Sequence, residues 1–457
     1  MSNEQPRQVR PVDIPLRRLP LQASSDREEP RSNSVASGVD VVTSDLPLDV
    51  DLLCNARLPD GECVDLRLAD GLVVEVAAAG TLGVANHATT LDLEGWLLLT
   101  APAEPHAHLD KALSFDLIQP PIGDLGAAIA SWVEYAADQT VEEIAGRART
   151  QALSMLANGI TAIRTHADVH PGFPTRSAEA LTAVRDELAD LIDIEIVALI
   201  GPRATVADID AALDVGLELV GGAPHLADDP DAEVERLLEV ALRRGLDVDL
   251  HTDENLDGPL TLGHYAKLVR DLPGNRQYSA SHCVRLGTLG PAELSEIVAD
   301  VAAADLGVIS LPITNLYLQG WNHPALTPRG LTALRALLGA GVRVAAGADN
   351  VRDPFNPVGR SCAFETASLL VTAGHLTPVE AWHLVSDGAR SVMGLPAAGA
   401  RVGAAAELLA VRAHSLTEAI ATAPADRLVI HAGRLVASCE LRTSIATPNL
   451  SAAMGGR

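Results

Sequence analysis

The chain has 457 residues, of which 47% are hydrophobic and 3% aromatic, and 60 acidic residues against 34 basic ones leave a formal net charge of −26. That length holds a large α/β domain with a smaller companion, and the core must be built from Ala, Val, Leu and Ile. The acidic balance excludes a nucleic-acid partner, which needs a basic footprint, and five scattered cysteines with no C-x-x-C pair exclude a disulfide framework and point to a reducing compartment.

Residues 1–46 are rich in Arg, Pro, Ser and Glu without periodicity and read as a disordered tail. No hydrophobic stretch follows Arg17-Arg18, and no run approaches the roughly 18 apolar residues of a membrane span. A cytoplasmic protein with no membrane partner is therefore expected. Residues 47–100 change to short alternating segments, "CVDLRLADGLVVEVA" among them, separated by turns at Pro59-Asp60-Gly61 and Asp70-Gly71. Residues 396–445 have the same texture, with a turn at Ala432-Gly433, so the two ends are expected to pair into one small β-sandwich. A second tail covers 446–457.

Between them, in 101–395, strand-like runs alternate with amphipathic stretches. The expected strands are 96–106, 160–166, 193–200, 217–225, 246–252, 277–282, 306–312 and 343–349. "DAEVERLLEVALRRG" carries Leu237, Leu238, Val240 and Ala241 on one stripe and stops at Gly245. "PAELSEIVADVAAAD" and "TPRGLTALRALLGAG" read as two further helices. Eight strand–helix alternations fit a (β/α)₈ TIM barrel, an α/β fold. A doubly wound open sheet is the alternative, but its Gly-rich dinucleotide fingerprint is absent.

In such a barrel, functional groups gather at the C-terminal ends of the strands. His106 and His108 end the first expected strand, two apart and so on one face. His251 ends the fifth, His282 the sixth and Asp349 the eighth, which lies beside the first when the barrel closes. Three imidazoles and a carboxylate at one mouth suit one divalent metal ion, Zn²⁺ or Fe²⁺, with a position left for water. Glu254, three residues after His251, is placed to take a proton from water and hand it to a substrate nitrogen; the plainer reading is a loop acid between Asp253 and Asp257. His282 is either a fifth ligand or a donor that orients the attacking hydroxide, and with one metal the second role is favoured.

The segments "PHAHLDK", "IRTHADV", "VGGAPHLADDP", "HTDE", "SASH", "ISLPITNLYLQG", "GADNVRDPFNPVG" and "VIHAGRLVA" resemble the amidohydrolase superfamily, most closely its cytosine deaminase branch. The similarity runs from about residue 48 to 440. It implies a mononuclear Fe²⁺ or Zn²⁺ site with His106, His108, His251 and Asp349 as ligands. It also implies Glu254 as proton shuttle, His282 as hydroxide-positioning residue, and the small sandwich. The reaction expected is hydroxide attack on an amidine-type ring carbon of a small nitrogen heterocycle, releasing ammonia, with Glu254, His282 and Asp349 catalytic.

Two departures bear on the substrate. Gly201-Pro202 stands where cytosine deaminases carry a Gln that contacts the pyrimidine, and Asn350 replaces a second Asp. "HLDK" resembles relatives that hydrolyse amino- or alkylamino-substituted triazines, so an N-isopropylammelide-type hydrolase releasing an alkylamine is the enzymatic alternative. Lys111 either supports the site through Asp110 or forms a loop salt bridge. Gln319, Asn350, Phe355 and His225 are the candidate substrate contacts, and His166 a pocket or supporting residue. No bridging lysine lies near "VGGAPH", against a two-metal site, and the H-x-E with P-C-x-x-C signature of the small zinc deaminases is missing. A catalytically silent barrel is the non-enzyme alternative, and a homo-oligomer stays open.

Overall fold

The computed structural model describes residues 46–83, 88–272, 274 and 276–444. Both expected tails therefore lie outside the described residues, apart from Leu46. Eight parallel strands form one sheet in sequence order: β1 (Ala103–Ala107), β2 (Ala162–Val169), β3 (Asp193–Ile200), β4 (Leu219–Gly222), β5 (Asp247–Thr252), β6 (Tyr278–His282), β7 (Gly307–Ser310) and β8 (Val344–Ala346). Helices such as Val141–Ala157 and Pro230–Arg244 separate successive strands. The first opens on a Thr140/Glu143 capping box, and the second ends on Gly245 at φ 73°, a left-handed cap that glycine adopts without strain. This is the TIM barrel expected from the alternation.

The seam between β8 and β1 is closed at the last residue of β1 and just beyond β8. Ala107 and Asp349 form a parallel bridge, and the Asp349 amide donates to the His106 carbonyl at 3.1 Å. Glu104, buried at this seam, accepts the Ala348 amide at 3.0 and 2.9 Å through its two oxygens. A Cβ at residue 347 would lie 2.1 Å from the Glu104 carboxylate, so only glycine fits there.

The two chain ends build a separate nine-stranded sheet in which Leu97–Thr100 pairs antiparallel with Leu408–Val411. It has its own core of Leu53, Leu66, Leu98, Leu408 and Ile430. Hairpins turn where the sequence places them, at Asp70-Gly71 and at Ala432-Gly433.

Two expected elements are redrawn. The run 96–106 is not one strand: Leu97–Thr100 belongs to the end sheet and Ala103–Ala107 to the barrel, with Ala101-Pro102 between. Leu98 faces the end-sheet core while Leu97 and Leu99 join the barrel cluster, so both faces of this strand are apolar and no break shows in the pattern. The helix expected over "TPRGLTALRALLGAG" is confined to Leu334–Gly339. Its leading part is an irregular strap in which the buried Thr332 donates its hydroxyl to the His282 carbonyl at 2.6 Å. Among the described residues, no helix is long and apolar enough to cross a membrane.

Candidate metal centre

At the C-terminal mouth, β1 and the residue after it present His106 and His108, β5 presents His251, and the turn after β8 presents Asp349. Nε2 of His251 stands 3.2 Å from Nε2 of both His106 and His108. Asp349 Oδ1 is 3.4 Å from His108 Nε2 and 3.8 Å from His106 Nε2. All four side chains are buried, and among the described residues neither Asp349 oxygen has a hydrogen-bond partner.

A buried carboxylate without a donor, facing three imidazole nitrogens, is a costly arrangement that a cation relieves. Burial and the neighbouring imidazoles hold His106 and His251 well below the usual histidine range; for His108 burial and then the Lys111 charge do so. The rings are thus neutral, with lone pairs available to a metal. Burial, reinforced by Glu254 and Asp353, pushes the Asp349 carboxyl well above the carboxylate range, and a bound cation reverses that shift. The residues present therefore fit a divalent metal ion.

His282 enters from the end of β6 at φ 67°, with Cys283 at 49° behind it. The Asn315 amide donates to its Nδ1 at 3.0 Å, so the neutral ring carries its proton on Nε2, 4.0 Å from Asp349 Oδ2. Glu254 is buried nearby. Its carboxylate lies 3.6 Å from His282 Nδ1 and 3.8 Å from His225 Nε2, and burial alone pushes it up to about 7. Asp253 is not a second loop acid but the clamp that presents Glu254. At φ 51°, its carboxylate accepts from the Thr261 amide and hydroxyl, both at 2.8 Å, and from the Leu262 amide at 3.1 Å.

These groups open into a cavity of about 510 Å³ lined by His108, His251, Glu254, His282, Asp349 and Asn350 on one side. The remaining lining is largely apolar and comes from the helix Leu125–Ala137 and the ends of β3 and β4, with Lys111, Asp168 and His170 as a polar group beside it.

The model of the amidohydrolase family matches residues 136–437. The chain belongs to the amidohydrolase family. It is 30% identical over 384 residues to a pterin deaminase of Rhizobium rhizogenes, covering 81% of this chain and 87% of that protein. An N-isopropylammelide isopropyl amidohydrolase of Pseudomonas sp. (strain ADP) is 25% identical over 419 residues, 86% of this chain and 98% of that protein. The structure also superposes on 5-methylcytosine deaminase from Klebsiella pneumoniae liganded with 5-fluorocytosine. The TM-score is 0.78 at 27% identity, covering 86% of this chain and 99% of that one.

In this amidohydrolase the fold brings His106, His108, His251, His282, Glu254 and Asp349 together, as the strand ends predict. The candidate substrate contacts divide. Asn350 and Phe355 lie on the cavity wall, although the Asn350 amide already donates to Asp353 at 2.7 Å. Gln319 does not line the cavity: its amide donates to the Glu254 carbonyl at 2.8 Å. His225 does not line it either; it lies in a short 3₁₀ turn after β4, with Nδ1 3.2 Å from the His251 carbonyl.

His166 is not at a strand end but inside β2, with its ring centroid 4.1 Å from that of His106 and Nε2 unpartnered. It could hold a metal together with His106 and His108. Lys111 is buried rather than part of a surface loop pair. Its Nζ meets Asp168 at 2.7 Å and Asp110 at 3.4 Å, and lies 3.3 Å from Nδ1 of His108. Burial opposes its charge, yet the two carboxylates outweigh that and raise it.

Sequence reasoning passed over Asp168, Trp132 and Asn315. Trp132 donates to Asp168 at 2.5 Å, fixing the indole at the cavity edge. Asp168 had a readable signal, since it stands two residues after His166 and shares its side of β2.

Proposed function

We propose that the protein is a metal-dependent hydrolase of carbon–nitrogen bonds that deaminates a small nitrogen heterocycle, with His106, His108, His251 and Asp349 holding one divalent ion. The observation that carries this reading is the buried Glu254, poised about 7 by burial and facing the same cavity as the unpartnered Asp349 oxygens. Similarity to a pterin deaminase and to a 5-methylcytosine deaminase supports ammonia release from a ring amidine.

A divalent ion bound there supplies Lewis acidity and lowers the pKa of a water. The chain's own groups do the rest. Glu254 takes a proton from the attacking water and delivers it to the ring nitrogen beside the reacting carbon. His282, its Nε2 proton fixed by Asn315, donates to the incoming oxygen and orients it. The hydroxyl proton left on the tetrahedral carbon then passes to the exocyclic nitrogen, collapse breaks the C–N bond, ammonia departs and a carbonyl remains.

The alternative, cleavage of an alkylamine from a triazine, is favoured by the similarity to the isopropylammelide hydrolase. Both are tested by one screen. Fe²⁺- and Zn²⁺-loaded protein is offered pyrimidines, purines, pterins and alkylaminotriazines, and ammonia and amines are measured. Ammonia from a ring amine is expected. Amine release alone selects the alternative. Inertness in fully loaded protein, or less than about a tenth of an equivalent of metal after metal-replete purification, favours a silent barrel.

A further inference from the structure

The cavity is divided by chemistry. The metal-ligand candidates, Glu254 and His282 come from the ends of β1, β5, β6 and β8 or the residues just after them, and the departing amine must sit beside Glu254. The rest of the lining is mostly apolar: Leu125, Ile129 and Val133 recur at helical spacing on the helix Leu125–Ala137, and Leu199, Ile200 and Leu226 come from the ends of β3 and β4, with Arg203 exposed at the rim. Val133 and Leu226 remain 44% and 45% exposed. The polar side chains that also line it, Trp132, Lys111 and His170, gather on Asp168: the Trp132 N–H and Lys111 Nζ donate to it, and His170 Nε2 lies 3.2 Å away.

A bare aminopyrimidine or pterin carries donors and acceptors around its edge, and placing one against such a wall leaves polar atoms unpaired at about 1–3 kcal/mol each. A volume of about 510 Å³ is also in the range of drug-sized ligands and generous for a single bare ring. Resting on the deaminase reading above, we propose that the substrate is an amino-heterocycle bearing an alkyl or similarly apolar substituent on the edge remote from the reacting amine. That substituent lies in the apolar half and stays in the product: water adds at the amidine carbon, ammonia leaves, and no bond to the substituent breaks.

Gly201 gives a clean probe of this half. It lines the cavity, its backbone is not in the left-handed region, and an added Cβ meets nothing nearer than the Val169 carbonyl oxygen at 4.0 Å. A large side chain there fills the apolar half without backbone strain.

Two ligand series test the proposal: pterin with its 6-methyl to 6-butyl derivatives, and cytosine with its 1-methyl to 1-butyl derivatives, each substituent lying across the ring system from the reacting amine. Binding is read apart from turnover, by calorimetry on metal-loaded E254Q protein. Turnover is read on the native enzyme as ammonia release, with product masses. In at least one series, Kd should tighten and kcat/KM should rise roughly fourfold per added methylene, with the alkyl group retained in the product. Gly201→Phe and Leu199→Asn should each cut the butyl-to-parent ratio at least about tenfold. Affinity that is flat or falls with chain length in both series overturns the proposal, as does release of the substituent. Affinity that climbs with chain length while no member yields ammonia overturns the deaminase reading and leaves the apolar subsite standing.

Discussion

The carboxylate of Glu254 stands 3.6 Å from Nδ1 of His282, on the same ring nitrogen that takes the Asn315 amide. Two residues from neighbouring barrel strands thus share one face of the cavity, one ready to move a proton and the other to hold one in place. Replacing Glu254 by Gln keeps the shape and removes the proton transfer. The circular dichroism spectrum and metal content should match the native protein, and kcat should fall by about 10²–10⁴. Full activity in E254Q refutes the proton-shuttle role.

The position of Glu254 sets the acid limb of the rate profile. A group that must accept a proton works when ionised, so kcat/KM rises with pH and levels off above its pKa. Burial puts that value at about 7, and the charge of a bound ion lowers it. The limb should therefore fall at or below pH 7 and disappear from the residual rate of E254Q. A limb above pH 8 assigns the base to another group.

Metal retention separates ligands from helpers. His251→Gln and Asp349→Ala should each lower bound Zn²⁺ or Fe²⁺ at least about tenfold by elemental analysis, with the fold intact. Asn315→Leu, which frees the His282 ring without touching the four ligand atoms, should keep the metal and lose turnover. Equal metal loss in all three variants contradicts the assignment of His282 as a non-ligand.

His431 and Glu407 form a buried pair in the end sheet, Nδ1 to Oε2 at 3.0 Å. Burial works against the charge on His431, but the Glu407 bond outweighs it and the imidazole is raised above its ordinary value. Glu407 is likewise lowered despite burial, by the same bond. A raised histidine lends stability that is complete below its unfolded value and lost as pH climbs through the folded one. Thermal midpoints should therefore decline as pH rises from about 6 to 9, by up to about 2 kcal/mol in stability. His431→Gln should flatten that decline, and an unchanged slope refutes it.

The barrel was legible because its strands and helices have different apolar periods, and because His251, His282 and Asp349 sit near the ends of short apolar runs. What escaped depends on contacts far apart in sequence. Nothing local says that the Gln319 amide is taken by the Glu254 carbonyl, or that Asp168 has Lys111 and Trp132 around it. The break at Ala101-Pro102 was hidden for a different reason: a strand apolar on both faces carries no period to interrupt.

That break has a consequence for how the molecule assembles. The strand Leu97–Thr100 ends three residues before β1, yet it pairs with Leu408–Val411, roughly 310 residues later. During synthesis from the amino terminus, the segment leading to His106 and His108 emerges long before the strand that anchors it. Closing so long a loop makes this a late step in folding. The barrel strand carrying His106 can pair with β2 early, while the strand that leads into it waits for its antiparallel partner until nearly the end of the chain. A chain cut before Leu408 should form most of its helices and still fail to hold the ion.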